Sequence, residues 1–409
     1  MGEHDRPAVF FVVQPTVAHY REPLLRHLRD STAIDVDFHG RFANSETSAA
    51  DRIHPASDDV LSEVTPIRFS TLGRLWWEHG QVRAVWSGSH DVYVLAGRIY
   101  TVSAWIALLA GKLRGRTVLL WGHGWKRAES GLKLRLRRAF YSLASGLLVY
   151  GDRAKELGIS YGVPAEKIEV VYNSIYDAER IGSVQVSSVQ VMGSDASTRR
   201  EDAGTASAAP AQASASLSPG PSAERFTIIY CSRLTARHRL DLLADALAEY
   251  PADGPRPFVL VVGEGAERPR LERKFAESGV DAEFTGACYD DAALRELYGR
   301  ADVAASIGGA GLNVIQALGF GVPVVAESDH RDSSPEIEAV VEGETGRYFQ
   351  AGDAASLRAV LRELIDAPAQ VARLGRRGVE TIGRRYSAQR HASAMEQAIL
   401  RLRRRRRHR

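Results

Sequence analysis

The chain has 409 residues, 44% of them hydrophobic, and a formal net charge of +3. That length predicts two domains with ordinary hydrophobic cores, and the small net charge excludes a molecule built as a whole to hold nucleic acid. Two cysteines, Cys231 and Cys288, have no metal-ligand spacing and point to a reducing compartment.

Strand and helix patterns alternate from the start. Ala8 to Gln14 predicts a buried strand, Glu22 to Leu28 a helix and Ile34 to Phe38 a strand. Asp91 to Leu95 is a strand, Ala104 to Lys112 a helix and Thr117 to Trp121 a strand, with two more strands at Gly146 to Val149 and Glu169 to Tyr172. Asp35 and Asp37 share one strand face by alternation and read as a solvated face rather than a metal site. This βαβ rhythm implies a parallel sheet with helices on both faces. The segment from Ile181 to Glu224 is rich in Ser, Ala and Pro without any period, the composition of a flexible insert.

The rhythm then restarts. Thr227 to Ser232, Phe258 to Val262 and Ala282 to Thr285 are strands, alternating with helices at Arg239 to Ala248, Arg268 to Ser278 and Asp291 to Arg300. A strand from Asp302 to Ser306 stops at Gly308, Gly309 and Gly311; a helix follows to Gly319, and Val324 to Ala326 is a buried strand. A glycine turn feeding a helix start offers free amides and the positive dipole end, which suits a phosphorylated ligand. Helices at Ala355 to Ile365 and Gln370 to Ile382 precede a last helix that starts near Ser387 and ends in a basic tail.

The predicted organisation is residues 1–180 as a first Rossmann-like domain, 181–225 as insert, 226–383 as a second such domain, and 384–409 as a crossover helix with its tail. A cleft between the domains would face the carboxyl ends of both sheets. The start, MGEHDR, shows no signal peptide, and the longest apolar run, Val102 to Ala110, reads as a core helix too short to span a bilayer. The expectation is a cytoplasmic protein that can reach the inner membrane face. Two basic segments, Arg403 to Arg409 and Lys133, Arg135, Arg137 and Arg138, are either solvated faces or attractions for anionic lipid heads.

Four motifs in order resemble the retaining GT-B glycosyltransferases of family four, the glycosyl transferases group 1 type. They are Cys231-Ser232-Arg233-Leu234-Thr235 with Arg239-Leu240-Asp241-Leu242-Leu243; Val261-Val262-Gly263-Glu264-Gly265; Gly309-Ala310-Gly311-Leu312 with Gln316-Ala317-Leu318 and Gly321-Val322-Pro323; and Pro335-Glu336-Ile337 with Gly343-Glu344-Thr345-Gly346. Tyr172-Asn173-Ser174-Ile175 resembles the family's element at the domain junction. The resemblance implies a GT-B fold, two Rossmann-like doubly wound α/β domains facing a central cleft. It implies transfer of a sugar from a nucleoside-diphosphate sugar to a glycan or lipid-linked acceptor, with retention, by front-face displacement, and without metal or other cofactor. Surface polysaccharide or glycolipid assembly is the implied setting.

On this resemblance the donor site comprises Arg233, His238, Arg239, Gly263, Gly265, Gly309, Gly311, Leu312, Gln316 and Glu336. Arg233 matches the family's arginine, while His238 stands where the family has lysine, between Arg237 and Arg239. The family's two glutamates fall on Gly308 and Gln316; an amide can still bond a ribose diol, whereas glycine offers only backbone. His123, in Trp121-Gly122-His123-Gly124-Trp125, is the catalytic candidate, hydrogen-bonding the sugar or positioning the acceptor; a loop histidine satisfied by backbone is the alternative. His19, Tyr20 and Arg21 are acceptor-side candidates or a plain helix start, and Arg98 has the same standing. Asp329-His330-Arg331-Asp332 is a polar loop at another strand end. Two other functions stay open: a degenerate, non-catalytic GT-B partner protein, motivated by the missing glutamates, and a GT-B-fold nucleotide-sugar epimerase.

Overall fold

The computed structural model describes residues 6–14, 16–42, 53–182, 225–250 and 256–407, with Arg407 described by its backbone alone. The first domain carries strands β1 (Ala8–Val13), β2 (Asp35–Gly40), β3 (Val64–Pro66), β4 (Phe69–Leu72), β5 (Leu75–Glu78), β6 (Val92–Ala96), β7 (Thr117–Gly122), β8 (Gly146–Val149) and β9 (Ile168–Val170). Its helices are α1 (Glu22–Arg29), α2 (Asp58–Ser62), α3 (Gln81–Ser87), α4 (Val102–Leu113), α5 (Gly131–Leu143) and α6 (Asp152–Ser160). The second domain has β10 (Thr227–Cys231), β11 (Phe258–Val262), β12 (Ala282–Gly286), β13 (Val303–Ser306), β14 (Val324–Glu327) and β15 (Gly346–Phe349). Helices α7 (Asp241–Ala248), α8 (Arg268–Glu277), α9 (Asp291–Gly299), α10 (Leu312–Gly319), α11 (Ala354–Ile365), α12 (Pro368–Arg385) and α13 (Ala388–Arg407) complete the chain.

Seven strands form one parallel sheet in the order β3-β2-β1-β6-β7-β8-β9, and six form another in the order β12-β11-β10-β13-β14-β15. The residues explain the layering. Val92 to Ala96 and Thr117 to Gly122 are buried at every position, as strands covered by helices on both faces must be. In each sheet the strand order reverses beside the first strand, between β1 and β6 and between β10 and β13. Ligands of doubly wound sheets sit at such reversals, outside the carboxyl ends of the strands. The segments after β1, β6, β7, β10 and β13 are therefore the ones to examine.

The last helix spans the two halves. Ser387 begins it, accepting from the Arg390 amide at 3.4 Å. Its residues Ala392, Met395, Ala398, Ile399 and Leu402 then join the first-domain core with Phe11, Leu24 and Trp121.

The structure departs from the sequence expectations at several points. Arg239 does not start a helix: it is left-handed, with φ of 45°, and α7 begins two residues later. The antiparallel hairpin β4–β5 and helices α2 and α3 are short, and their patterns blend into neighbouring loops. Helix α4 is not wholly a core helix, because Ile106, Leu109 and Leu113 lie exposed on it. The basic tail is not a free arm over its described part. Arg403 pairs with Asp91 at 2.8 Å, Arg405 donates to the Glu166 carbonyl at 2.6 Å and Arg406 to Ser145 Oγ at 2.8 Å. The Ser/Ala/Pro-rich insert falls almost wholly outside the described residues. Among the described residues no helix is long and apolar enough to cross a membrane.

Candidate functional site

The second domain contributes the glycine turn and the loop after β10. Gly308 and Gly309 have φ of 71° and 112°, a region open to glycine and costly for other residues. A β-carbon at Gly308 would lie 2.2 Å from the Arg237 carbonyl oxygen and 2.6 Å from His238 Cα. The loop carrying Arg237 and His238 thus lies directly on the turn and occupies the space in which a side chain at 308 would start. Gly263 and Gly265 have the same cause: β-carbons there would meet the Ser232 and Leu234 carbonyl oxygens at 1.9 and 2.0 Å. These contacts press the Arg233 loop against the end of β11.

The turn's amides are less free than the sequence suggests. Glu327, at the end of β14 and 9% exposed, accepts from the Gly308 amide at 2.9 Å and the Gly352 amide at 3.2 Å. Ser333 Oγ takes the Ala310 amide at 3.1 Å, and Asn313 Oδ1 takes the Gly311 amide at 2.9 Å. Gly309 and the first turn of α10, starting at Leu312, remain the parts of the cradle nearest the expectation. Sequence reasoning missed Glu327, whose one signal was a carboxylate ending a buried strand.

Around His238 the charges converge. Its Nδ1 is 2.8 Å from Thr235 Oγ1. Burial and then the Arg237 and Arg233 cations push its pKa down, so it is neutral at pH 7. Arg237 donates to the Asp332 carbonyl at 2.6 Å, tying this loop to the polar loop after β14. Arg239 turns elsewhere, with its guanidinium 3.9 Å from the Glu327 carboxylate. Of the two arginines flanking His238, it is Arg237 that stays over the glycine turn. Gln316 is engaged at both ends: Nε2 donates to Tyr176 Oη at 3.0 Å, and Oε1 lies 3.8 Å from Cys231 Sγ.

The first domain supplies the opposing wall. His123 follows β7 and is exposed to the cleft, with protein crowded round it. Its ring edge meets Tyr150 with centroids 5.0 Å apart. Loss of water in this enclosure, then the cations of Lys126, Arg21 and Arg98, push its pKa to about 3. A neutral imidazole can accept or donate one proton in hydrogen bonds, but it brings no charge. Lys126 crosses the cleft, with Nζ 3.2 Å from Ser334 Oγ. Burial and then Arg237 and Arg127 lower its pKa, while Glu336 works the other way. A small cavity of about 10 Å³, lined by Trp125, Lys126, Arg153, His330, Ser334 and Glu338, marks this junction. A larger one, about 180 Å³, lies away from the cleft between the end of α5 and the tail of α13.

Beneath the cleft a buried polar chain joins the domains. Arg21, 4% exposed, donates to Asn173 Oδ1 at 2.6 Å and to Tyr150 Oη at 3.1 Å, with its guanidinium 4.9 Å from the Trp121 ring centre. Asn173 Nδ2 donates to Glu336 Oε1 at 2.5 Å. Glu336 is 2% exposed, and its Oε2 has no hydrogen-bond partner among the described residues. Arg21 is thus part of the floor rather than an acceptor-side surface residue. The preceding Tyr172 is left-handed, with φ of 56°, a strained conformation that aims Asn173 at both neighbours. Its hydroxyl donates to Asp152 at 2.8 Å. His19 and Tyr20 sit apart at the rim, where the rings of His19 and His54 meet Tyr289 of the second domain at 5.5 and 4.9 Å.

A second bridge was not legible beforehand. Helix α6 starts at Gly151 with no side-chain cap of its own. Glu338 of the second domain supplies one, accepting from the amides of Asp152 at 2.7 Å and Arg153 at 3.1 Å. A side chain at Gly151 would meet that carboxylate at 2.4 Å. Asp35 and Asp37 are exposed on one face of β2, as read, and Asp37 Oδ2 lies 2.8 Å from His39 Nε2 and 3.2 Å from His90 Nε2.

Comparison with known proteins bears on the fold and on the second domain. Residues 217–381 match the family model described as glycosyl transferases group 1. A GDP-mannose-dependent alpha-(1-6)-phosphatidylinositol dimannoside mannosyltransferase of Mycobacterium tuberculosis is 36% identical over 101 residues. That stretch is 24% of this chain and 26% of the relative, so the chain matches about a quarter of that relative's length. Among solved structures, Anabaena HepE in complex with UDP-glucose is similar over 96% of this chain and 99% of its own, at 16% identity and a TM-score of 0.62. The lipopolysaccharide outer core galactosyltransferase WaaB, in its apo form, is similar over 96% and 99% of the two chains, at 16% identity and a TM-score of 0.66. The fold is GT-B, two parallel-sheet Rossmann-like domains facing one cleft.

Proposed function

We propose that this GT-B chain, whose second domain matches glycosyl transferases group 1, transfers a sugar from a nucleoside-diphosphate sugar to a glycan or lipid-linked acceptor, with retention and without a metal ion. The observation that carries the reading is the charge pattern of the cleft. Arg237 lies over the glycine turn, 3.0 Å from where a β-carbon at Gly309 would stand, Arg233 and His238 stand in the same loop, and Lys126 reaches from the other wall to Ser334 Oγ at 3.2 Å. Glu336 is a carboxylate buried beneath them.

A diphosphate gains charge as its sugar leaves, so fixed cations favour the transition state over the bound donor. Arg233 and Arg237 are assigned to the diphosphate, with the backbone of Gly309 and Leu312 beside them. Two neutral imidazoles, His238 and His123, add hydrogen bonds without repelling these cations. His123 faces the sugar or the incoming acceptor hydroxyl. Glu336, with Oε1 held by Asn173 and a buried Oε2 without a partner among the described residues, is assigned to a sugar hydroxyl. It supplies an acid that Gly308 cannot. Gln316 would exchange its bond to Tyr176 for one to the ribose. His19 and Tyr20, at the rim, are assigned to the acceptor side, and Arg21 holds the floor on which both walls rest.

The names of similar proteins, a mannosyltransferase acting on a phosphatidylinositol mannoside and a lipopolysaccharide galactosyltransferase, support glycolipid or surface polysaccharide assembly as the setting. The test is incubation with UDP-, GDP- and dTDP-sugars, with and without lipid extract, following donor loss and product anomer by NMR in the presence of EDTA. Consumption of one donor with its anomeric configuration kept supports the proposal. No consumption of any donor, with the protein folded, overturns it in favour of a non-catalytic GT-B partner.

A further inference from the structure

We infer that the layer formed by the β4–β5 hairpin, α4 and α5 docks this protein on a bilayer of anionic lipid. This deepens the transfer reading by naming the partner on the acceptor side. The starting observation is where large apolar side chains stay exposed. Leu72 and Leu75 flank the hairpin turn, Ile106, Leu109 and Leu113 stand on α4, and Leu132 and Leu136 on α5. In the second domain only Tyr289 and Val341 are comparably exposed among the described residues.

The three elements form one surface. Spacing of three and four residues puts Ile106, Leu109 and Leu113 on one face of α4. Helices α4 and α5 are neighbours through the Trp105 and Phe140 rings, 4.8 Å apart. The hairpin is fastened to the start of α4 by a bridge between Trp76 and Thr101 and by the Trp76 amide on the Tyr100 carbonyl at 3.0 Å. Exposed apolar side chains gathered on neighbouring elements in this way point to a docking site rather than ordinary surface.

The charges identify the occupant. Neither α4 nor α5 contains an acidic residue. Arg74, Lys112, Arg114, Arg135 and Arg138 stand exposed among the leucines. The nearby acids are spent: Glu78 is buried beside Arg98, and Glu129 is paired with Arg137 and Lys133. The core of a protein interface is depleted of charged residues, whereas four arginines and a lysine stand exposed here, and the exposed Trp86 and Tyr100 suit a membrane interface as well. Leucine and isoleucine ringed by lysine and arginine instead match the acyl boundary and phosphate plane of an anionic bilayer. Since α4 begins just after β6, the layer reaches the cleft rim, and a lipid-linked acceptor held in the same plane would lie beside the cleft.

The test is co-sedimentation of the full chain with phosphatidylcholine vesicles and with vesicles that also contain phosphatidylglycerol. The expected result is binding to the anionic vesicles that is at least roughly tenfold weaker on neutral ones. A Leu72→Glu, Leu113→Glu, Leu132→Glu variant changes side chains 79–80% exposed, so its melting temperature and its binding of UDP or GDP should stay as they were. Its vesicle binding should fall by roughly tenfold or more. Arg404→Glu, on the α13 tail, should bind vesicles like the unaltered protein. Equal binding to both vesicle types, full binding by the triple variant, or loss of binding only in Arg404→Glu would overturn the inference. So would a dimer, without lipid affinity, that the triple variant dissociates. Vesicle binding needs no donor, so its failure leaves the transfer reading standing on its own test.

Discussion

The position where the resemblance places a glutamate offers the sharpest quantitative test of the second domain. Gly308→Ala adds one carbon, 2.2 Å from the Arg237 carbonyl oxygen and 2.6 Å from His238 Cα. Neither contact is the movable end of a side chain. A β-carbon at φ of 71° costs about 1–2 kcal/mol by itself, and forcing extra volume into a packed site costs about 1–3 kcal/mol more. The sum, about 2–5 kcal/mol, falls on one domain of ordinary size, where each kcal/mol lowers the melting temperature by about 2–4 °C. The expected loss in a thermal melt is therefore about 4–20 °C, or else the Arg237 loop lifts away and nucleotide affinity drops. Gly308→Glu, the change that would restore the family pattern, should be no better. A Gly308→Ala protein that melts within about 2 °C of the parent and binds nucleotide equally well would refute the packing argument.

Other outcomes follow from the two domain bridges and from three histidines crowded by protein. Glu338→Ala removes a part-exposed carboxylate from two amides of α6; a loss of about 1–2 kcal/mol, or roughly 5–30-fold in the closed-to-open ratio, should appear as longer interdomain distances by fluorescence energy transfer. Glu336→Gln keeps a bond to Asn173 but removes a buried carboxylate near Arg21 and buries an unpartnered amide, so the melt should fall modestly while turnover per folded protein falls by roughly 100-fold or more; unchanged turnover would deny Glu336 its assigned role. His123, His238 and His391 all have pKa values pushed below the ordinary value, chiefly by burial. The unfolded chain then binds protons more readily below its own pKa near 6.5, so these groups leave stability flat above that pH and lower it progressively as pH falls beneath it. A melting temperature that rises between pH 7 and pH 5 would contradict this sign.

Much of the fold was legible because parallel strands buried on both faces read as short apolar runs, and Ala8 to Val13, Thr117 to Gly122 and Val324 to Glu327 are of that kind. The glycine turn and the Arg233 loop were legible because glycine there has one steric cause. The hairpin was not, since its alternation lasts only four residues per strand and one of its faces is unpaired with any core. Glu327 and Glu338 escaped because what they do depends on backbone amides brought near by tertiary structure, at 308 and at 152 and 153. The exposure of α4 could not be read from an apolar run that looks the same whether a second protein layer, a lipid surface or nothing covers its outer face. Arg21 was singled out for the wrong surface: its position beside the first strand was plain, but its burial under Tyr150 and Trp121 comes from β7 and β8.

The central claim is that a nucleoside diphosphate sits between the Arg233 loop and the start of α10. Calorimetric titration of the parent protein and of Arg233→Ala with UDP and with GDP tests it directly. Saturable binding of one nucleotide, weakened by roughly tenfold or more in a variant that still folds, is the predicted result, as expected when about 1.4 kcal/mol or more of charge-assisted bonding is lost. Absence of heat with either nucleotide, or equal affinity in the two proteins, would contradict it.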